Sequence, residues 1–166
     1  VIKSAVRGAV VTALTATFAL LPSLAHAEEK DKDNDIERVE LTGINAFDTM
    51  PGRIRTGDSW VAHLELYAKK TGKPGKKKHL THVGDGESEC SAVRAHGDWV
   101  TMQCTRTLRL KKGTLTLSDM ITYNRWQSVT AKTAVTGGTG HYRSAYGDGY
   151  ITLAGRYVHL ELNVDE

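Results

Sequence analysis

The chain has few of the residues from which reactive or metal-binding sites are usually built. It contains two cysteines and three prolines among 166 residues, and its seven histidines are scattered. No serine sits in a Gly-x-Ser-x-Gly elbow, so a nucleophilic triad of that kind is not legible. No glycine stretch leads into the Lys-Ser/Thr pair of a phosphate loop. These absences point away from hydrolases, metalloenzymes and nucleotide-binding enzymes. The apolar run from Ala9 to Leu21 covers only thirteen residues, too short to span a bilayer comfortably.

That run has a different meaning in its setting. Lys3 and Arg7 precede it and Ala25-His26-Ala27 follows it, which is the layout of a secretory signal peptide over residues 1–27. Export to an extracellular compartment is therefore expected, without stable membrane insertion. Loss of Lys3 and Arg7 lowers the formal charge from +3 to +1, so the basic balance gives little support for nucleic-acid binding. Residues 28–35 are a run of acids and lysines with no apolar residue and predict a disordered charged linker. Residues 36–166 then suffice for one domain with one core.

Within that domain short strands follow one another without a convincing helix. Ile36 to Ile44, Ser59 to Ala68, His79 to Arg94, Trp99 to Leu110, Thr114 to Tyr123, Ser128 to Val135, Asp148 to Leu153 and Arg156 to Val164 make eight, with the third interrupted at Gly84-Asp85-Gly86. Turn signals separate them, among them Met50-Pro51-Gly52 and Thr56-Gly57-Asp58. Many short strands favour a sandwich or a barrel. The segment Lys69 to Lys78 holds six lysines and reads as an exposed loop. Its plain role is solvation, although such a cluster can also attach to anionic polymers. His79 and His82 fall on opposite faces of a strand and read as surface residues rather than shared metal ligands.

Hairpin registers place the remaining polar groups. A turn centred on Gly97 sets Cys90 directly opposite Cys104, close enough for a disulfide in an oxidising compartment. A turn at Lys112-Gly113 sets Leu110 opposite Leu115, Leu108 opposite Leu117, Arg106 opposite Asp119, Cys104 opposite Ile121 and Met102 opposite Tyr123. Ser88 then falls opposite Arg106 in the first hairpin. An arginine and an aspartate thus meet on an otherwise apolar face. They are either an ion pair that fixes register or the polar anchor of a ligand pocket. A turn at Ala154-Gly155 pairs Ile151 with Val158, Gly149 with Leu160, Tyr150 with His159 and Asp148 with Glu161.

The stretch Gly137-Gly138-Thr139-Gly140-His141-Tyr142-Arg143-Ser144-Ala145-Tyr146-Gly147 follows the apolar strand Thr133 to Thr136. It resembles the signature of the allene oxide cyclase and dirigent protein superfamily. The resemblance implies an all-β fold, an eight-stranded antiparallel β-barrel of allene oxide cyclase-like or calycin-like type, assembled as a homotrimer or another homo-oligomer. It gives Gly137, Gly138, Thr139, Gly140, Tyr142, Ala145 and Gly147 structural roles, with Tyr142 packed beneath the turn. It also implies chemistry without a cofactor: cyclisation, isomerisation or stereochemical steering of a small hydrophobic molecule held in the barrel.

The residues expected to carry such chemistry come from the strand pairing and not from the resemblance. Asp119 is the candidate acid or base, Arg106 the group that holds a developing oxyanion, and Tyr123 a hydrogen-bond donor or stacking partner. Ser88, Met102, Leu108, Leu117 and Ile121 are the expected ligand-binding wall. No metal ligands are expected. The alternative is a carrier that binds a hydrophobic ligand without changing it.

Overall fold

The computed structural model describes residues 36–69 and 79–165. The expected signal peptide, the charged linker and nearly all of the lysine-rich loop lie outside the described residues. The described chain forms eight strands: β1 (Glu37–Asp48), β2 (Ser59–Lys69), β3 (Leu80–His96), β4 (Trp99–Leu110), β5 (Gly113–Asn124), β6 (Val129–Gly138), β7 (Tyr146–Ala154) and β8 (Tyr157–Asp165). Each pairs antiparallel with the next, and β8 returns to β1 over Glu37–Ile44, which closes the barrel. Closure gives every strand a neighbour on both sides, although the β5–β6 ladder ends at the Asp119–Thr133 pair.

Alternation along the strands decides which side chains go inside. On β2, Trp60, Leu64 and Leu66 are buried, whereas Val61 and Lys69 on the other face are exposed. On β8, Val158, Leu160, Leu162 and Val164 are buried in strict alternation. The interior is filled by Leu64, Leu66, Leu108, Leu115, Leu117, Ile121, Ile151, Leu160, Leu162 and Val164, each at most 2% exposed. Every such leucine contributes about 2 kcal/mol by its removal from water. The packed centre is a core, not a channel.

The first hairpin has the expected register from Gly84 to Ala92; nearer the turn His96 opposes Trp99 across Gly97-Asp98, and Val93, which has no partner, makes up the one-residue difference. Cys90 opposes Cys104, their Cα atoms are 4.1 Å apart, and a disulfide joins them inside the barrel. Antiparallel partners approach this closely at non-hydrogen-bonded positions, where a cross-strand disulfide fits best. Such a bond suits an oxidising compartment. Strand β3 runs unbroken through Gly84-Asp85-Gly86, contrary to the expected interruption. The irregularity falls one residue earlier, where Val83 has no partner between the Leu66–Gly84 and Tyr67–His82 pairs.

Two other registers differ from expectation by two residues. The β4–β5 turn is Lys111-Lys112, so Leu110 opposes Gly113, Leu108 opposes Leu115, Arg106 opposes Leu117, Cys104 opposes Asp119 and Met102 opposes Ile121. Gly113 is excluded from the turn because it is needed elsewhere: its φ is 152° and a Cβ there would strike the Thr139 carbonyl. The β7–β8 turn is Gly155-Arg156, with Gly155 supplying the positive φ that a two-residue hairpin turn requires. Ile151 then opposes Leu160, Gly149 opposes Leu162, Tyr150 opposes Glu161 and Asp148 opposes Asn163. This register removes the like-charge opposition of Asp148 and Glu161. A shift of two preserves the inward face in both hairpins.

The glycine-rich stretch closes one end of the barrel. Gly137 and Gly138 finish β6, and Gly140–Tyr142 forms one 3-10 turn with Tyr142 buried beneath it. Any side chain at Gly138 would overlap the Thr114 carbonyl and the Tyr142 backbone. The loop can therefore lie directly on the β4–β5 turn.

Candidate functional site

Two polar regions stand out, one inside the barrel and one at its end. Inside, Arg106 Nε donates to Asp119 Oδ2 at 2.8 Å and Nη2 donates to Asp119 Oδ1 at 3.1 Å. Arg106 Nη1 donates to Ser88 Oγ at 2.9 Å. The contact is bidentate and diagonal, since the residue opposite Arg106 is Leu117. The side chains of Arg106 and Asp119 are 4% and 0% exposed. Burial makes a charged pair costly to separate, and the fork geometry satisfies both carboxylate oxygens.

Of the residues expected at the site, the structure brings Ser88, Arg106 and Asp119 together. Met102, Leu108, Leu117 and Ile121 all point inward and are at most 3% exposed. Met102 and Ile121 face each other in the layer next to Cys104 and Asp119, on the side toward Val100 and Tyr123. They separate the ion pair from the barrel end. Tyr123 stands apart from the group, four residues beyond Asp119 on the same face of β5, roughly 13 Å along the strand at the usual rise.

Tyr123 instead lines an open cavity of about 460 Å³ at that end. The connections β1–β2, β3–β4 and β5–β6 converge there, because alternate turns of a meander share one end of the barrel. The first supplies Gly52, Arg53, Ile54, Arg55 and Thr56, the second Gly97 and Asp98, and the third Arg125 and Trp126. Val100 and Tyr123 form part of the wall from within the barrel.

Local hydrogen bonds hold these loops in place. Asp58 Oδ2 accepts from the Arg55 backbone N–H at 2.7 Å, and Gly57 and Asp58 exchange backbone bonds with Ala92 at 2.8 Å. Thr56 Oγ1 accepts from the Ala95 N–H at 3.1 Å. Across the opening, Arg125 Nη2 donates to the Gly52 carbonyl at 3.0 Å. Asn124 Oδ1 accepts from the Trp126 N–H at 2.9 Å, an Asx turn that fixes the start of the loop. Trp126 nonetheless remains 76% exposed.

The cavity therefore combines three guanidinium groups, one acid in its lining, Asp98, an indole and a phenol. Burial pushes the Tyr123 hydroxyl up from its usual pKa, against the opposing pull of Arg125. The phenol stays protonated at neutral pH and can donate a hydrogen bond. Arg53, Arg55, Arg125 and Trp126 were not among the residues expected at a site. Their signal was present in Arg53 and Arg55 between the turn glycines Gly52 and Gly57, and in Arg125 and Trp126 outside any strand.

No family model and no curated protein sequence matches the chain. Among solved structures it is similar to one described as pyocyanin demethylase, at 19% sequence identity and a TM-score of 0.58. The match covers 77% of this chain and 99% of the other. The barrel fold is shared. At this identity the likeness extends to the fold alone, and it supports a barrel without assigning the chain to the allene oxide cyclase and dirigent superfamily.

Proposed function

We propose that the protein is a small-molecule-binding barrel of an oxidising compartment, with its ligand site at the open end and not in the interior. The carrying observation is the cavity of about 460 Å³ lined by Arg53, Arg55, Arg125, Tyr123 and Trp126. Its volume lies within the usual range of small-ligand sites. Guanidinium groups favour carboxylate, sulfonate or enolate oxygens. Trp126 and Tyr123 offer aromatic faces for a flat apolar body. The ligand class is thus an anion carried on a planar, largely apolar molecule.

The buried Arg106–Asp119 pair serves this site indirectly, by fixing β3, β4 and β5 beneath it. Chemical-shift mapping with naphthalene-2-sulfonate tests the assignment. Amides of residues 52–56, 97–100 and 123–126 should move on titration, while those of 104–108 and 117–119 stay fixed. Movement of the interior set alone would place the ligand inside the barrel and refute this reading.

Tyr123 favours a second reading, in which the bound molecule is isomerised or cyclised without a cofactor. A protonated phenol in the wall can stabilise a developing oxyanion. A solved structure with a similar barrel is named for a demethylase, so the architecture is compatible with chemistry as well as carriage. Tyr123→Phe separates the two roles. A catalyst loses product formation while it keeps ligand affinity, whereas a carrier forms no product in either protein.

A further inference from the structure

On the outer surface, away from the cavity, β2 and β3 bring together a second group of ligating side chains. His63 opposes Glu87 in the register, and Glu65 opposes Asp85. One nitrogen or oxygen from each of His63, Asp85 and Glu87 lies within 4.8 Å of the other two. We propose that His63, Asp85 and Glu87 form a site for a divalent transition-metal ion, with zinc as the best fit.

The donor set carries the choice of metal. Zinc accepts imidazole nitrogen and carboxylate oxygen together, and water can complete its four positions. Tetrahedral zinc at bond lengths of about 2.0–2.2 Å needs ligand atoms about 3.4 Å apart. Rotation of the Asp85 and Glu87 side chains, the latter half-exposed, closes the set by the required ångström. An all-oxygen ion such as magnesium would leave the imidazole unused.

The surroundings suit such an ion. His63 Nδ1 lies 2.8 Å from Glu87 Oε1, and its Nε2 lies 3.5 Å from Glu65 Oε1. A carboxylate on the far nitrogen orients an imidazole toward a metal on the near one. The second oxygen of Glu65 is 2.7 Å from His82 Nε2, which holds that carboxylate in place. Arg109 binds Asp85 through Oδ2 only, and Oδ1 has no hydrogen-bond partner among the described residues. Three carboxylates, those of Glu65, Asp85 and Glu87, face the guanidinium of Arg109, and a divalent cation would offset the excess.

Equilibrium dialysis of the untagged protein against zinc chloride at pH 8 tests the proposal. The expected result is one zinc per chain with a micromolar or tighter Kd. Affinity should fall at least tenfold in His63→Gln and in Glu87→Gln, and stay unchanged in His96→Gln. Cobalt should give visible absorption of tetrahedral nitrogen and oxygen ligation that both variants lose. These side chains are on the surface, so the variants should keep the wild-type circular dichroism. Absence of saturable binding, or binding that survives His63→Gln, would overturn the site. Either result is independent of the cavity and its ligand.

Discussion

Arg106 binds Asp119 diagonally, through two hydrogen bonds of 2.8 and 3.1 Å, while the residue directly opposite it on β5 is Leu117. The pair ties neighbouring strands at the centre of the barrel, and Ser88 extends the tie to β3. Removing one partner leaves a buried charge uncompensated. Asp119→Ala or Arg106→Ala should each lower stability by about 3–5 kcal/mol. Replacing both, as Arg106→Met with Asp119→Leu, should restore most of that loss. Urea denaturation read by circular dichroism gives the comparison.

The disulfide is the second constraint on the same strands. A loop of the size closed by Cys90 and Cys104 predicts about 3 kcal/mol of stabilisation. The double variant Cys90→Ala, Cys104→Ala should lose about that amount and become insensitive to reductant. A wild-type protein equally stable with and without dithiothreitol would contradict this.

Glycine 138 tests how the closed end is packed. Its missing side chain lets Thr114 and Tyr142 approach, so Gly138→Ala should cost about 1–3 kcal/mol. Gly52→Ala is the control, since nothing lies within 4 Å of the added carbon. Thermal melting of the two variants should separate them clearly.

These tests bear on what could be read from the residues themselves. Alternation and turn chemistry were enough for eight strands, because each strand shows one face to a core and most breaks carry glycine, proline or aspartate. The Cys90–Cys104 opposition was legible from the turn signal at Gly97, although the turn is the two-residue Gly97-Asp98 and the residue that Val93 adds to β3 makes up the one-residue difference. The β4–β5 register was not, because Gly113 looks like a turn residue but serves a tertiary contact with Thr139. The cavity was hidden for another reason. Arg53 and Arg55 are about seventy residues from Arg125 and Trp126 in sequence, and only the alternation of turns in the meander brings the two loops to one end.

Tyr123 makes the pH dependence of stability specific. Burial raises its folded pKa above the unfolded value of 10, so between the two the folded chain holds one proton more. Stability is unaffected below pH 10 and falls as pH rises above it. Tyr123→Phe should remove that contribution. The difference in 295 nm absorbance titration between the two proteins should show one phenol ionising above pH 10. Ionisation of that phenol below 10 would contradict the placement.

The most direct test of the central claim is the affinity of the folded protein for an anionic aromatic probe, 1-anilinonaphthalene-8-sulfonate, set beside its uncharged parent. Fluorescence titration should give saturable binding of one sulfonate per barrel and at least tenfold weaker binding of the neutral compound. A tenfold change corresponds to about 1.4 kcal/mol, well within the reach of one charged hydrogen bond. Trp126→Ala and the double variant Arg53→Ala, Arg55→Ala should each weaken the sulfonate by a similar factor while leaving the melting temperature unchanged. Equal affinity for the two compounds, or sulfonate binding indifferent to these variants, would contradict a ligand site at the open end of the barrel.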